Sequence, residues 1–125
     1  MPRRRNQVLD VQAASGATRT SSDQVTPQGA KGIYLRVQVG THTSSPTFTP
    51  SIKRKGLDGS YDTVWTAASA ISTATTAVYL LYPGAADGNV TEVDGSPIPQ
   101  QWQLLLTFGG TGSALTTEAD LDYLW

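Results

Sequence analysis

Gln101-Trp102-Gln103-Leu104-Leu105-Leu106-Thr107-Phe108, then Gly109-Gly110-Thr111-Gly112-Ser113, then Ala114-Leu115-Thr116-Thr117-Glu118-Ala119-Asp120-Leu121-Asp122-Tyr123-Leu124-Trp125 is the stretch that decides the fold. Trp102, Leu104, Leu106 and Phe108 sit two apart, with Gln101, Gln103 and Thr107 between them. Leu115, Thr117, Ala119, Leu121, Tyr123 and Trp125 repeat at the same period, with Glu118, Asp120 and Asp122 between them. A period of two marks a strand with one buried face. The glycine-rich run tolerates positive φ and can close a loop. The expectation is a long closing β-hairpin. A hairpin alone is marginal in water, so the rest of the chain must cover its apolar face.

The rest of the chain offers strands and no convincing helix. Leu9, Val11 and Ala13 alternate with Val8, Asp10 and Gln12, and Ser15-Gly16 follows as a turn signal. A weak edge strand is expected around Thr20–Val25. Ile33, Leu35, Val37 and Val39 face one way between Gly32 and Val39, with Tyr34, Arg36 and Gln38 opposite. Thr47 to Lys55 alternates again, and Pro50, which has no N–H, places that strand at an edge or a bulge. Asp58-Gly59 is a strong hairpin dipeptide. Tyr61–Thr66 and Thr75–Tyr82 read as strands, and Ala67 to Ala74 as a loop. Pro83 to Pro99 reads as a long acidic loop, either functional or mobile. The expected core is Leu9, Val11, Ile33, Leu35, Val37, Phe48, Ile52, Val78, Leu80, Trp102, Leu104, Leu106, Leu121 and Tyr123.

The fold class that follows is all-β: a single antiparallel β-sandwich or barrel of about eight strands, jelly-roll or Greek-key like. With 125 residues the chain suits one domain, expected over residues 7–125. Residues 1–6 read as a flexible basic arm. Having no cysteine, the chain forms no disulfide and no thiolate metal site. No apolar run reaches the roughly 18 residues of a membrane-spanning helix. Three arginines near the N-terminus are not followed by the apolar stretch of a secretory signal.

Charge is divided along the chain. Residues 1–55 carry nine basic and two acidic groups, a balance of +7, and residues 56–125 carry eight acidic groups and no basic one, −8. Such a division suits docking on copies of itself or on a charged scaffold.

Catalytic chemistry finds little purchase. His42, the lone histidine, sits in a polar loop without a nucleophile-elbow motif and reads as exposed. Asp87, Glu92 and Asp94 share the acidic loop, but their spacing matches no EF-hand. The Gly109–Gly112 run lacks the lysine and the following helix of a phosphate loop. Neither a cofactor nor a metal is expected. Tyr34, Tyr61 and Trp65 could form a sugar-stacking platform.

One resemblance carries function. Ser45-Pro46-Thr47-Phe48-Thr49-Pro50-Ser51-Ile52, then Gly56-Leu57-Asp58-Gly59-Ser60-Tyr61, then Trp102–Phe108 before Gly109-Gly110-Thr111, resembles small β-sandwich head decoration, or minor capsid, proteins of tailed bacteriophages. It covers about residues 32–125. The resemblance implies a non-enzymatic, multi-copy role on the capsid surface, in contact with the major capsid protein or another virion protein. It also implies synthesis in the bacterial host cytoplasm. The alternative is a carbohydrate- or receptor-binding module, for example on a phage tail or fibre. A small hydrolase with an unrecognised carboxylate pair stands behind both.

Partner contacts are expected at Arg3, Arg4 and Arg5, at Lys53, Arg54 and Lys55, at the acidic row Glu118, Asp120 and Asp122, and at Leu124 and Trp125. The acidic row could meet a neighbour's Lys53–Lys55 in a homo-oligomer, with a trimer favoured by the local threefold points of shells. Trp125 either anchors such an interface or folds back on its own sandwich. No specific nucleic-acid partner and no membrane are expected.

Overall fold

A computed structural model describes residues 3–14, 18–40, 43–85, 90–95, 97–113 and 115–125. Ten strands run in chain order: β1 Arg3–Ala14, β2 Arg19–Thr20, β3 Gln24–Val25, β4 Gly32–Val39, β5 Thr43–Lys55, β6 Tyr61–Thr66, β7 Thr75–Leu81, β8 Glu92–Asp94, β9 Gln101–Ser113 and β10 Leu115–Leu124. They form two sheets, ordered β1-β10-β4-β7-β8 and β2-β9-β5-β6, with β3 also on β9.

The antiparallel pairs are nested. β5 pairs β6, β4 pairs β7, β2 and β3 pair β9, and β1 pairs β10. The chain is thus one long folded-over ribbon whose tip is the β5–β6 turn. Rolling that ribbon adds the β10–β4 and β9–β5 ladders and closes two sheets over one core. This is a jelly roll. At the tip, Gly59 takes a φ of 86°, and the Gly56 N–H donates to the Ser60 carbonyl at 2.7 Å. The Asp58-Gly59 turn therefore lies where expected.

The closing hairpin does not form. β9 pairs β5 along Thr43–Arg54, and β10 pairs β1 and β4, so the two strands lie in opposite sheets. Alternation fixes which face is buried, not which neighbour is hydrogen-bonded, and two strands facing each other across a core satisfy it equally. Gly109–Ser113 accordingly belongs to a strand, not a loop. Gly110 is at φ 74°, and a Cβ there would run into the Ser45 carbonyl oxygen.

Three other expectations change. β1 begins at Arg3, not Gln7: Arg3, Arg4 and Arg5 of the expected arm lie opposite Leu124, Tyr123 and Asp122 in the ladder. Register shifts between Gln7 and Leu9 bulge the strand, so Val8 and Leu9 are buried in succession. In β7 the buried residues are Ala77, Tyr79 and Leu81, while Val78 and Leu80 stand half-buried on the outer face. The acidic loop contributes β8, parallel to β7, and buries Ile98.

Pro50 sits in an interior strand. The neighbouring Phe48 exchanges both backbone bonds with Ile71, so alternate residues including Pro50 point away from β9. On that side β6 has ended at Thr66, and the Pro50 carbonyl accepts from the Ala67 N–H at 2.9 Å. The missing N–H thus falls in a gap of the ladder.

The core is otherwise the expected one. Ile33, Leu35, Val37, Phe48, Ile52, Trp102, Leu104, Leu106 and Leu121 are fully buried, with Leu9 and Tyr123 nearly so. Val11 lies outside the residues whose side chains are described. Trp65 of β6 meets Tyr79 of β7 edge-to-face at 5.3 Å, which joins the sheets. Burial, with Glu92 nearby, pushes the Tyr79 hydroxyl up to about 12, so it stays neutral. Arg19 of β2 reaches the other sheet and donates to the Thr117 carbonyl at 2.6 Å and to its Oγ1 at 2.9 Å. The Ser21 side chain fills the break between β2 and β3 by accepting the Leu104 N–H at 2.9 Å.

Leu104→Ala empties a fully buried site and is expected to cost about 2–5 kcal/mol in urea unfolding. Leu105→Ala, on the outer face one residue away, is expected to cost roughly 1 kcal/mol or less. Equal costs would contradict the assigned faces.

Candidate functional site

The two outer faces of the sandwich differ. On the β2-β9-β5-β6 sheet, the outer rows carry Thr47, Thr49, Ser51 and Lys53 of β5 against Gln103, Leu105 and Thr107 of β9. That face is largely hydroxyl and amide and suits water. On the other sheet, β7 presents Val78 and Leu80 outward while Tyr79 and Leu81 face the core. A strand apolar on both faces is usually covered on both.

Around Leu80 the register assembles a groove. Leu80 lies opposite Tyr34, Tyr34 opposite Asp122, and Gly32 opposite Leu124. Tyr34, Leu80, Asp122 and Leu124 line a cavity of about 430 Å³. A second cavity of about 290 Å³, lined by Tyr34, Arg36, Asp120 and Asp122, shares two of those residues and continues the groove. Tyr34 is 38% exposed. Arg36 lies 3.2 Å from Asp120 and 3.8 Å from Glu118 and donates to Gln38 at 3.0 Å. Such surface pairs are worth about 0–1 kcal/mol each, so they fix side-chain positions more than they stabilise.

Asp120 and Asp122 of the acidic row therefore line this groove, with Arg36 of their own chain beside them and Glu118 reached through Arg36. Lys53, Arg54 and Lys55 are on the other sheet, beside the β5–β6 turn. Lys55 donates to Asp23 at 2.7 Å, and the Tyr61 hydroxyl and Gln103 amide donate to the same carboxylate at 2.6 and 3.0 Å. Beyond them Leu57 stands fully exposed (108%) at the tip of the turn. Arg3, Arg4 and Arg5 are placed by their backbones alone, opposite the end of β10.

Of the two placements expected for Trp125, the structure shows the fold-back. Its indole N–H donates to the Gln28 carbonyl at 3.0 Å, its carbonyl accepts from the Tyr82 hydroxyl at 3.2 Å, and it packs against the core. Tyr34, Tyr61 and Trp65 do not form a platform: Tyr34 is on one outer face, Tyr61 reaches Asp23 on the other sheet, and Trp65 is 5% exposed in the core. His42 and Asp87 lie outside the described residues. Glu92 accepts the Ala68 N–H at 3.0 Å. Among the described residues no three His, Cys, Asp or Glu side chains gather as metal ligands.

Sequence reading missed Leu57 and the groove. A leucine between Gly56 and Asp58 in a turn was the available signal, since turn positions favour Gly, Asp, Asn, Ser and Pro. For the groove the signal was the tie in β7, where both alternating sets are apolar.

Asp23 generates a pH prediction. Hydrogen bonds from Lys55, then Tyr61, hold its carboxyl below the ordinary value of 3.8. A group depressed on folding adds stability that is full above its unfolded value and is lost as pH falls through the folded one. Asp23→Asn is thus expected to lower the melting temperature at pH 7, with the gap to the natural protein closing below about pH 4. A gap independent of pH would assign the loss to something other than this charge. Trp125→Ala is expected to cost about 1–3 kcal/mol in the same melts, because a half-buried indole and its hydrogen bond are lost.

No family model matches the chain, and no curated protein matches it by sequence. Solved structures do. A structure of infectious bursal disease virus, Gx strain, aligns with 98% of the chain at a TM-score of 0.57 and 13% identity, over 32% of that viral chain. A mutant VP2 protein of the same virus, from derived T=1 particles, aligns with 97% at 0.48 and 17% identity, over 31% of its length. The chain spans about a third of the length of each. At this identity the likeness is one of fold: the chain shares the β-sandwich of a viral structure.

Proposed function

We propose that this chain is a non-enzymatic structural protein of a virion, one that decorates or cements the capsid shell of a tailed bacteriophage in many copies. The supporting observation is the fold: the nested two-sheet sandwich aligns over 98% of the chain with a viral structure at a TM-score of 0.57. A fold hosts many functions, so the site must carry weight as well. Here Arg36 and Asp120 form a surface ion pair, Asp58 is held in its turn by Ser60, and the groove lies open on a sheet face. Such a surface serves contact, and a shell multiplies weak contacts by copy number. The partners in this reading are the major capsid protein or another virion protein and further copies of the chain, with a trimer at local threefold positions. The basic segments Arg3–Arg5 and Lys53–Lys55 and the acidic row on β10 are the contact residues. Synthesis is in the host cytoplasm and residence in the virion.

The test is shell reconstitution. The chain is mixed with shells assembled from the major capsid protein of the same genome, and bound copies are counted by mass and by imaging. Saturable binding in fixed ratio to the shell subunit is expected, weaker at high salt. No binding to shells, with hits on a glycan array instead, would transfer the chain to the carbohydrate-binding reading.

A further inference from the structure

We infer that copies of this chain associate head to tail, with Leu57 at the tip of the β5–β6 turn of one copy seated in the Tyr34–Leu80–Leu124 groove of the next. The inference deepens the multi-copy reading above by naming its interface. The occupant is argued from complementarity in shape and charge.

The knob has three features. Leu57 is fully exposed, so no part of its own chain covers it. It projects from a turn held by the Gly56–Ser60 bond and by Asp58, whose carboxylate accepts both the Ser60 N–H at 3.0 Å and its hydroxyl at 2.7 Å. A rigid turn presents an apolar side chain at little further ordering cost. Arg54, also exposed, and Lys53 stand behind it as cations.

The groove has the matching features. Tyr34, Leu80 and Leu124 give it apolar walls, and its volume of about 430 Å³ exceeds that of one leucyl side chain. Asp122 lines both halves of the groove, with Arg5 opposite it in the ladder, and at the far end Asp120 and Glu118 flank Arg36. A leucine in the apolar half would bring the basic residues behind it toward that acidic end. The apolar contact then supplies affinity and the charges set orientation.

Knob and groove belong to opposite sheets, so the contact joins two copies. They lie at the same end of the sandwich. β9 starts beside the β5–β6 turn and runs away from it, and β10 returns to end at Leu124 beside the groove. Two different surfaces that meet in this way make a heterologous contact, which closes into a ring when the rotation per copy allows.

Sedimentation and native mass measurements on purified protein test this without a shell. The natural chain is expected to associate with rising concentration. Leu57→Asp removes the knob at a fully exposed site, and Leu80→Lys fills the groove with a cation, each weakening association roughly tenfold or more. Circular dichroism and melting check that both remain folded. The decisive arm is the mixture. Leu57→Asp retains a groove and Leu80→Lys retains a knob, so together they form a two-chain complex that grows no further. A natural chain that stays monomeric at its solubility limit, or Leu57→Asp association equal to the natural chain's, overturns the interface. Either result leaves shell binding to be judged by reconstitution, so the two readings fail separately.

Discussion

The requirement that two strand faces bury each other across the core shapes this molecule more than any single contact. Trp102, Leu104 and Leu106 of β9 face inward from one sheet, and Ala119, Leu121 and Tyr123 of β10 from the other. Only residue 114 separates those strands in the chain. The ribbon must therefore turn from one sheet into the other, and this sends β10 between β1 and β4 instead of beside β9. Sheet-to-sheet crossings recur between β1 and β2, β3 and β4, β4 and β5, β6 and β7, and β8 and β9. Within a sheet, consecutive strands meet at the β5–β6 turn and in the parallel β7–β8 pair.

Much of this was legible in the sequence. Alternation in β4, β5, β9 and β10 marks the buried residues because one face of each strand is apolar and the other polar. Asp58-Gly59 marks the ribbon's tip because that dipeptide tolerates the backbone the turn needs. Partner choice was not legible, since a period of two says nothing about hydrogen-bonded neighbours. In β7 the face itself was ambiguous: Val78 and Leu80 compete with Ala77, Tyr79 and Leu81, and tertiary packing, including Tyr79 on Trp65, buries the second set. The bulge that buries Val8 beside Leu9 breaks the parity that a pattern search assumes.

The candidate surfaces divide in the same way. The acidic row on β10 is readable as alternation. Its companion Arg36 is not, because it comes from a strand 84 positions earlier. Lys53–Lys55 reads as a basic run, yet Lys55 is engaged by Asp23 from a distant loop. Turn chemistry accounts for Gly56, Asp58, Gly59 and Ser60 but leaves Leu57 without a local role.

The nested pairing also sets the order in which this chain can fold. Among the described strands, only the β5–β6 turn and the β7–β8 connection join partners close in sequence; β4 must find β7, β3 must find β9, and Arg3 must find Leu124. Loop closure grows costlier outward from that turn, as in slow-folding topologies of high contact order. During synthesis β1 emerges long before its ladder partner β10. Until then its edge is an unpaired strand, and the two bulges that distort it also make it a poor template for a stray neighbour.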